Sequence, residues 1–391
     1  MAVTTIITNK ESKFSNVLIY ILGILGVGLV VFFGGQVIEN LDNLRGKSGV
    51  SVEVQNNSAQ IIIDNQKVGD TIYTSKDLKP GTKTITLKSD TRQYQTSISF
   101  VAAENGTMPI VGIIRDLGVS DFFSSGQEFW FEKDKSGNVL RIISEPQGAA
   151  VSIDGSKIGE TTFSSNSIST GTYELKITYS GYEPQVSSIT IQKGFTLNGN
   201  VKLFPYPTPL EPKVFPDSSN LYDLSIDNAS ATSDTQSWVK AVVYWNTTRG
   251  INIAGVTNPK DKAFDYFIDY KGNTYDADGN AITKPEDFEK IKGAKREGYL
   301  GRVSDGAGLT KEAKEAFTGL GTKGVSAKTA MIKTTPTGWL RVRDAASLSG
   351  NEIAKVNVGD KFPVLETATG WVKIQVSATA AGWVSADYVG L

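Results

Sequence analysis

The stretch AAVSIDGSKIGET at residues 149–161 repeats a pattern that first occurs as AQIIIDNQKVGDT at residues 59–71. Ala, Ile, Asp, Lys, Gly and Thr recur in the same register in both places. In the later copy, alternating apolar and polar residues predict a half-buried strand, and Asp154-Gly155 predicts a tight hairpin turn. We therefore expect the chain to build one small antiparallel β-unit twice.

The later copy continues with further strand signals. Tyr173, Leu175 and Ile177 fall on one face of a predicted strand, and the segments SSITI and GNVKLF predict two more. Together these strands predict a small antiparallel β-sandwich over residues 141–204.

This copy resembles the PEGA family of small extracytoplasmic β-modules, which are named after a Pro-Glu-Gly-Ala motif. Residues 146–149 read PQGA, the family's I-D-G-x-x-x-G core follows, and Gly181-Tyr182 stands where the family has a Gly-Tyr pair. The copy at residues 49–103 departs from the pattern at Asn57-Ser58 and at Asn65, and it has no Gly-Tyr pair. The resemblance implies non-catalytic modules that serve as spacers or interaction domains in envelope proteins.

The segment between the copies, residues 104–140, predicts a connecting β-hairpin. Residues 128–132 and 139–143 alternate in polarity on either side of KSGN at residues 135–138, a turn-forming sequence.

Composition excludes much of the common hydrolytic chemistry. The chain has no cysteine and no histidine, which rules out disulfides, thiolate nucleophiles, histidine zinc sites and Ser-His-Asp triads. The chain has forty basic and forty-one acidic residues, so its net charge produces no strong electrostatic field. Nucleic acid is therefore not expected as a partner. We expect no enzyme activity, no cofactor and no metal site.

The N-terminal region predicts a membrane anchor. Residues 17–38 carry no charge, and a helix of that length spans about 33 Å, close to the hydrocarbon core of about 30 Å. No A-x-A-like cleavage site follows, so we expect an uncleaved single-pass span. Lysines precede the span and basic residues follow it, so charge alone does not set the orientation. Residues 1–16 are expected to be a short cytoplasmic tail, with the later domains extracytoplasmic.

A linker and a domain of mixed type are predicted next. Five prolines between residues 205 and 216 predict an extended polyproline spacer, and the Ser-rich chain that follows extends the linker over residues 205–236. Residues 237–328 predict a mixed α/β domain. Within it, WVKAVVYWN predicts a strand, and FDYFIDYKGNTYDADGN predicts a hairpin across Lys271-Gly272-Asn273.

Two helices are predicted in the same region. Thr283 and Glu286 have the spacing of a capping box, so a helix is expected to begin there. Ala313, Ala316 and Phe317 have the spacing of a second amphipathic helix. The sequence DADGN at residues 276–280 lacks the glutamate of a calcium loop and predicts a turn.

The order of segments in this domain resembles the zinc amidases that cleave peptidoglycan. The zinc histidines of that family would fall near Trp245 and Asp265, which are not histidines here. The resemblance therefore implies a degenerate amidase that cannot hold the metal.

The last segment, residues 333–391, predicts five short strands separated by glycine turns, which suits a small barrel. It resembles the bacterial SH3 domain: the family's L-x-V-R, V-G-D, G-W-x-x-V/I and G-W-V-x-x-x-Y positions are all filled. Residues 345–347 read AAS where the family usually has Gly-Pro-Ser. The resemblance implies binding of cell-wall peptides.

Aromatic residues are the candidate ligand contacts of this domain. Trp339, Arg343, Trp371 and Tyr388 are the predicted binding residues. Some of the tryptophans are also expected to fill the core, and Trp371 and Trp383 are predicted to be mainly structural.

These predictions combine into a mainly β chain with an N-terminal transmembrane helix, two PEGA-like β-sandwiches, a mixed α/β domain and an SH3-like barrel. The first functional hypothesis is a non-catalytic bacterial envelope protein that presents a peptidoglycan-binding module outside the membrane. The second is a membrane-bound wall hydrolase, or a regulator of one, with the SH3-like domain as its targeting arm. The third is a scaffold whose modules bind other envelope proteins.

Overall fold

The computed structural model describes residues 46–104, 107–134, 137–215, 218–253, 261–283, 291, 294–319, 329–377 and 380–390. The predicted tail and membrane span lie outside these residues, and so does the helix predicted to begin near Thr283. Within the described part, no helix is both long and apolar enough to cross a membrane. The chain divides into two compact units, Met1–Leu210 with Ile226–Lys262, and Glu211–Ser225 with Ala263–Leu391.

The first unit contains most of the strands. In chain order they are β1 (Ser48–Val54), β2 (Gln60–Ile63), β3 (Gln66–Asp70), β4 (Ile72–Leu78), β5 (Gly81–Lys88), β6 (Gln93–Phe100), β7 (Ile110–Asp116), β8 (Ser125–Lys133), β9 (Val139–Glu145), β10 (Ala150–Ile153), β11 (Ser156–Glu160), β12 (Phe163–Ser165), β13 (Gly171–Thr178), β14 (Gln185–Ile191) and β15 (Phe195–Lys202). They form an eleven-stranded sheet in the order β12-β9-β15-β8-β7-β1-β4-β3-β2-β5-β6 and a four-stranded sheet in the order β11-β10-β13-β14.

The sequence repeat is also a structural repeat. In each copy the first strand pairs in parallel with the last, β1 with β7 and β9 with β15. The hairpin aspartates Asp64 and Asp154 both have positive φ values, 48° and 47°. Each carboxylate accepts a backbone N–H from the adjoining strand, from Thr84 at 3.0 Å and from Glu174 at 2.8 Å. The first copy extends through β7, beyond the boundary at residue 103 that the sequence predicts.

The predicted hairpin in residues 104–140 is wrong. Strands β8 and β9 are not neighbours, because β15 lies between them, antiparallel to β8 and parallel to β9. Strand β8 also pairs with β7, so it joins the two copies into one continuous sheet. Period-two alternation reports that a segment is a strand and which face is buried, but not which strand lies beside it.

A helical segment completes this unit where a strand was predicted. Helices α1 (Ala229–Ser233) and α2 (Thr235–Thr247) follow one another, and the Asp234 carboxylate accepts the Ser237 N–H to cap α2. Trp238, Val242 and Trp245 lie on one helical face and are buried. A short run of valines and aromatics fits a buried helix as well as a strand, and the aspartate cap favours the helix.

The extended spacer predicted over residues 205–236 is also wrong. Pro205 and Pro207 are buried, and the Trp238 indole N–H donates to the Pro207 carbonyl oxygen at 2.6 Å. The rest of the segment contains α1 and two short strands of the second unit. Prolines fix φ without requiring exposure, so a large aromatic face can pack on them.

Arg249, which follows α2, connects the two copies. Its guanidinium Nη1 lies 2.7 Å from Asp116 Oδ2, and its Nη2 lies 2.5 Å from Glu183 Oε2. Asp116 ends the last strand of the first copy, and Glu183 precedes β14 in the second copy. The Arg249, Asp116 and Glu183 side chains are 8%, 1% and 13% exposed, so this is a buried ion-pair network.

The two carboxylates of this network have further donors. Asp116 accepts the Tyr244 hydroxyl at 2.5 Å, the Gly118 N–H at 2.8 Å and the Asn56 amide at 2.9 Å, and Glu183 accepts the Trp245 indole N–H. Burial raises the pKa of the Glu183 carboxyl, while the Arg249 charge and the Trp245 N–H oppose that rise. The Arg249 guanidinium also lies 4.2 Å from the centre of the Phe204 ring.

The second unit contains a five-stranded and a seven-stranded sheet. Its elements are β16 (Lys213–Val214), β17 (Leu221–Asp223), β18 (Tyr266–Asp269), β19 (Thr274–Asp276), β20 (Glu297–Leu300), α3 (Lys311–Gly319), β21 (Thr329–Ile332), β22 (Trp339–Arg343), β23 (Glu352–Asn357), β24 (Lys361–Ala368), β25 (Trp371–Ser377), β26 (Ala380–Ser385) and β27 (Val389–Gly390), with single 3-10 turns at Val303–Asp305 and Ala386–Tyr388.

The five-stranded sheet has the order β16-β17-β20-β18-β19, with β17, β20 and β18 parallel. The hairpin predicted across Lys271–Asn273 is confirmed by antiparallel β18 and β19, and the helix predicted around Ala313 and Phe317 is confirmed as α3. The turn predicted at DADGN is present, since the Asp276 carboxylate accepts N–H groups two and four residues later.

The seven-stranded sheet has the order β23-β22-β26-β25-β24-β21-β27. The five predicted strands correspond to β22, β24, β25, β26 and β27. Two strands were not predicted: β23, and β21, which begins at Thr329, before the expected boundary at Lys333.

Replacing Arg249 with alanine should strongly destabilise the first unit, because Asp116 and Glu183 would stay buried without their cation. We expect a loss of about 3–5 kcal/mol in the free energy of unfolding, measured by urea denaturation. The matched control is Arg141→Ala, whose partner Glu132 lies 3.7 Å away on the surface. That change should cost less than about 1 kcal/mol. Equal effects of the two variants would contradict a structural role for the buried network.

Candidate ligand-binding face of the C-terminal sheet

The core of the seven-stranded sheet is made of aliphatic side chains. Its buried members are Ala330, Ile332, Val342, Val356, Val372, Ile374, Val384 and Val389. None of the three tryptophans of this domain belongs to that cluster, and all three are only half-buried. The prediction that Trp371 and Trp383 mainly fill the core is therefore wrong. Val372 and Val384 occupy the inward positions beside them, and alternation turns the two indoles outward.

Strand register brings the outward side chains together. Trp383 of β26 lies opposite Arg343 of β22 on one side and opposite Lys373 of β25 on the other. Trp371 lies opposite Ser385 in the same strand pair. Opposite residues in an antiparallel ladder share a face, so these side chains lie on the face away from the core. We call the side chains of Trp339, Arg341, Arg343, Lys355, Trp371, Lys373 and Trp383 the outer face.

Cations stand over the indole rings of the outer face. The Lys355 Nζ lies 4.1 Å from the centre of the Trp339 ring, and the Arg341 guanidinium lies 5.6 Å from it. The Lys373 Nζ lies 5.6 Å from the centre of the Trp383 ring. Contacts of this kind fix the ring planes and keep the charged groups beside them. The outer face thus combines flat apolar surface with cationic hydrogen-bond donors.

An acidic residue and a loop carbonyl hold three cations of the outer face in place. Glu352 pairs with Arg341 at 3.0 Å and with Lys355 at 3.6 Å. Arg343 Nη1 donates to the Gly350 carbonyl oxygen at 2.6 Å. The arrangement suits binding rather than chemistry, since it offers stacking surface and donors for a polar or anionic ligand.

Three of the four predicted binding residues share the outer face. Trp339, Arg343 and Trp371 lie on it, whereas Tyr388 lies in the 3-10 turn after β26 and is 37% exposed. Trp383 also lies on the outer face, although sequence reasoning assigned it to the core. The signal was available in WLRVR and WVKI, where period-two alternation separates the aliphatic residues from the tryptophans and cations.

A cleft lies beside the five-stranded sheet. It has a volume of about 580 Å³ and is lined by Tyr270, Lys271, Arg302, Asp305, Thr310, Lys311 and Glu312. Tyr270 and Arg302 follow the carboxyl ends of β18 and β20, the place where parallel sheets commonly bind ligands. The Arg302 guanidinium lies 4.1 Å from the centre of the Tyr270 ring. It also donates hydrogen bonds to both carboxylate oxygens of Asp305, at 2.9 and 2.7 Å. These hydrogen bonds raise the pKa of Arg302.

The two positions that the amidase resemblance singles out belong to different units. Trp245 lies in α2 of the first unit and is buried, and the segment WVKAVVYWN, which was predicted to be a strand, belongs to that helix. Asp265 belongs to the second unit, where its carboxylate accepts the N–H groups of Lys295 at 2.6 Å and Arg296 at 2.9 Å. Within the described ranges, no cluster of acidic side chains is placed to hold a metal ion.

Glu297 is a buried carboxylate at the centre of the five-stranded sheet. It is 2% exposed in β20, between Leu221 of β17 and Tyr266 of β18. Its side chain accepts hydrogen bonds from Tyr266 and Asn220, but its Oε2 has no partner among the described residues. Burial raises the pKa of Glu297 to about 7, and these hydrogen bonds only partly oppose the rise.

Glu297 should make the stability of this sheet depend on pH. The folded pKa of about 7 lies above the ordinary value of 4.5, so the folded state holds the proton more tightly than the unfolded state does. Stability should therefore fall as pH rises from about 4.5 to 7 and stay level above that range. Glu297→Gln should raise the unfolding free energy by roughly 3 kcal/mol at pH 8 and change it little at pH 4.

The control for this experiment is Glu315→Gln, which removes an exposed carboxylate on α3. Thermal unfolding at both pH values compares the two variants. A stabilisation by Glu297→Gln that is the same at pH 4 and pH 8 would show that the carboxyl does not titrate between these limits.

Comparison with known families assigns two of these parts. Residues 138–206 match the family model of the PEGA domain, and residues 338–390 match that of the bacterial SH3 domain. The first copy lies outside the matched residues, although it repeats the parallel pairing of first and last strand. No curated protein and no solved structure matched the chain. The chain thus carries a PEGA domain within its first unit and a bacterial SH3 domain within its second unit.

Proposed function

We propose that this chain is a non-catalytic, membrane-anchored protein of the bacterial cell envelope. In this proposal the two β-copies act as a spacer, and the SH3 domain binds the peptidoglycan wall. The observation that carries the proposal is the outer face, where three half-buried tryptophans and four cations lie on a domain whose family commonly binds cell-wall material. Tryptophan and arginine side chains dominate the energetics of binding surfaces of this kind.

The membrane anchor is the second element of the proposal. It rests on residues 17–38, which carry no charge and are long enough to span the hydrocarbon core as a helix. The later domains then lie outside the membrane, where the wall is accessible. Fractionation of cells tests this part, and full-length protein in the soluble fraction would contradict it.

Replacing Trp383 with alanine should weaken wall binding and lower the melting temperature less than a core truncation does, because its half-buried indole lies on the outer face and not in the core. We expect the apparent affinity for purified wall sacculi to fall by about 1–2 kcal/mol, or roughly tenfold, in a co-sedimentation assay. Trp371→Ala should behave in the same way. Val384→Ala, the inward neighbour of Trp383, should lower the melting temperature more, since it opens a cavity in the core.

Tyr179→Ala serves as the aromatic control, because Tyr179 is exposed in the PEGA domain. It should leave wall binding unchanged, because Tyr179 does not belong to the SH3 domain. If the unmodified protein stays in the supernatant with several types of sacculi, the wall-binding proposal is wrong. The SH3 domain would then be a module for binding another envelope protein.

A further inference from the structure

Several loops of the first unit lie at the end of the eleven-stranded sheet where β1 begins. Ser48 at the start of β1 lies opposite Leu78 at the end of β4. Gly49 lies opposite Ile110, so β7 begins there too, and β8 ends there because it runs antiparallel to β7. We call the described loop residues that meet at this end the β1 end; they are 46–47, 79–80, 101–104, 107–109, 134, 137–138, 166–170 and 192–194.

Hydrogen bonds hold neighbouring loops of the β1 end together. They run from the Ala103 N–H to the Lys47 carbonyl oxygen at 2.7 Å, from the Asp134 N–H to the Gly194 carbonyl oxygen at 2.9 Å, and from the Asn138 side-chain amide to the Ile168 carbonyl oxygen at 2.5 Å. Both β-copies contribute loops to this end, so it forms one surface of the folded unit.

A short connection joins the β1 end to the apolar segment at residues 17–38. Seven residues separate Ile38 from Gly46, which belongs to the β1 end. An extended chain spans at most about 3.6 Å per residue, so the distance between Ile38 and Gly46 is at most about 29 Å. The β1 end is therefore the part of the folded unit that lies nearest to the point where the chain leaves the apolar segment.

The length of the sheet disfavours the inverted orientation. Strand β5 has eight residues and runs from the β1 end to the opposite end of the sheet, a distance of about 26 Å. If the opposite end faced the membrane, the connection would have to run along the whole strand with almost no slack. Holding it stretched would cost conformational entropy at each of its residues.

The charges of the β1 end suit an anionic surface. Lys79 and Lys193 are exposed there and have no carboxylate partner in the described part of the chain. The acidic side chains at this end are already engaged: Asp77 pairs with Lys47 at 2.7 Å, Glu104 pairs with Lys133 at 2.6 Å, and Asp134 accepts the Thr196 hydroxyl at 3.0 Å. Anionic lipid head groups attract exposed lysines that come within a Debye length of them.

We infer that the β1 end lies against the anionic lipid head groups of the membrane and that the opposite end of the sheet points away from them. This contact rests on the membrane anchor of the proposed function, and it assigns the surface of the folded unit that faces the lipid. The occupant is the lipid surface because the short connection holds the β1 end beside it. Lys79 and Lys193 then face the head groups.

Two positions on β5 test the orientation. Thr82 and Lys88 are both exposed, lie six residues apart on the same face of the strand and are therefore about 20 Å from one another along the sheet. The chain has no cysteine of its own, so full-length Thr82→Cys and Lys88→Cys each accept a single fluorophore. The labelled chains are reconstituted into vesicles of phosphatidylcholine and phosphatidylglycerol whose head groups carry a quencher.

The Thr82→Cys label should be quenched several-fold more strongly than the Lys88→Cys label. Equal quenching in chains that float with the vesicles would overturn the orientation and leave the membrane anchor standing. Chains that do not float with the vesicles would instead contradict the anchor itself, and the lipid contact with it.

A second arm tests the contribution of charge. In the labelled Thr82→Cys chain, Lys79→Glu should reduce quenching in vesicles that contain phosphatidylglycerol and should leave it unchanged in phosphatidylcholine alone. The matched control is Lys88→Glu, which makes the same change at the opposite end of β5 and should have no effect in either lipid. Equal effects of the two substitutions would contradict a contact between the β1 end and anionic head groups.

Discussion

The first unit depends on a buried arginine between two buried carboxylates. Removing three ionised groups from water costs several kcal/mol for each, and only complete pairing with good geometry offsets that cost. Arg249 comes from the segment after α2, Asp116 from the first copy and Glu183 from the second. The pairing is therefore complete only when all three parts of the unit are assembled. A partly assembled unit leaves a charge buried without a partner, which disfavours alternative arrangements of the copies.

The buried ion pairs of Arg249 change how the sequence repeat is interpreted. The sequence alone suggests two independent modules in a row, joined by a hairpin and followed by an extended tail. In the structure, β8 pairs with the last strand of both copies, and α2 packs its tryptophans against the proline segment that follows the second copy. One continuous sheet through both copies resists bending, whereas two modules on a flexible connection do not. The repeated unit therefore builds a single stiff body.

Local signals predicted much of this structure. Asp154-Gly155 predicted a hairpin turn, and the glycine turns of the last segment predicted five of the strands in its sheet. These features depend on residues close in sequence, where turn chemistry and period-two alternation act directly.

Features that depend on distant residues were not predictable in the same way. Insertion of β15 between β8 and β9 requires a strand far along the chain, and the helix at Thr235–Thr247 is favoured by burial against the β-copies. The error over Trp383 has a different origin. The size of the Trp383 side chain suggested a core position. In the structure, aliphatic side chains fill the core, and the alternation of side chains along β26 turns Trp383 to the outer face. At Glu297, the sequence shows only a charged residue in a strand, and its raised pKa follows from burial between two neighbouring strands.

If the two copies form one rigid body, the distance between them is fixed, and a distance measurement detects this. Gln66 and Ser156 occupy equivalent exposed positions in the β2–β3 and β10–β11 hairpins, so Gln66→Cys and Ser156→Cys together accept one nitroxide label on each copy. Pulsed electron spin resonance on the doubly labelled chain should give a single narrow distance distribution. A broad distribution, of the kind that two modules on a flexible connection produce, would show that the two copies move independently.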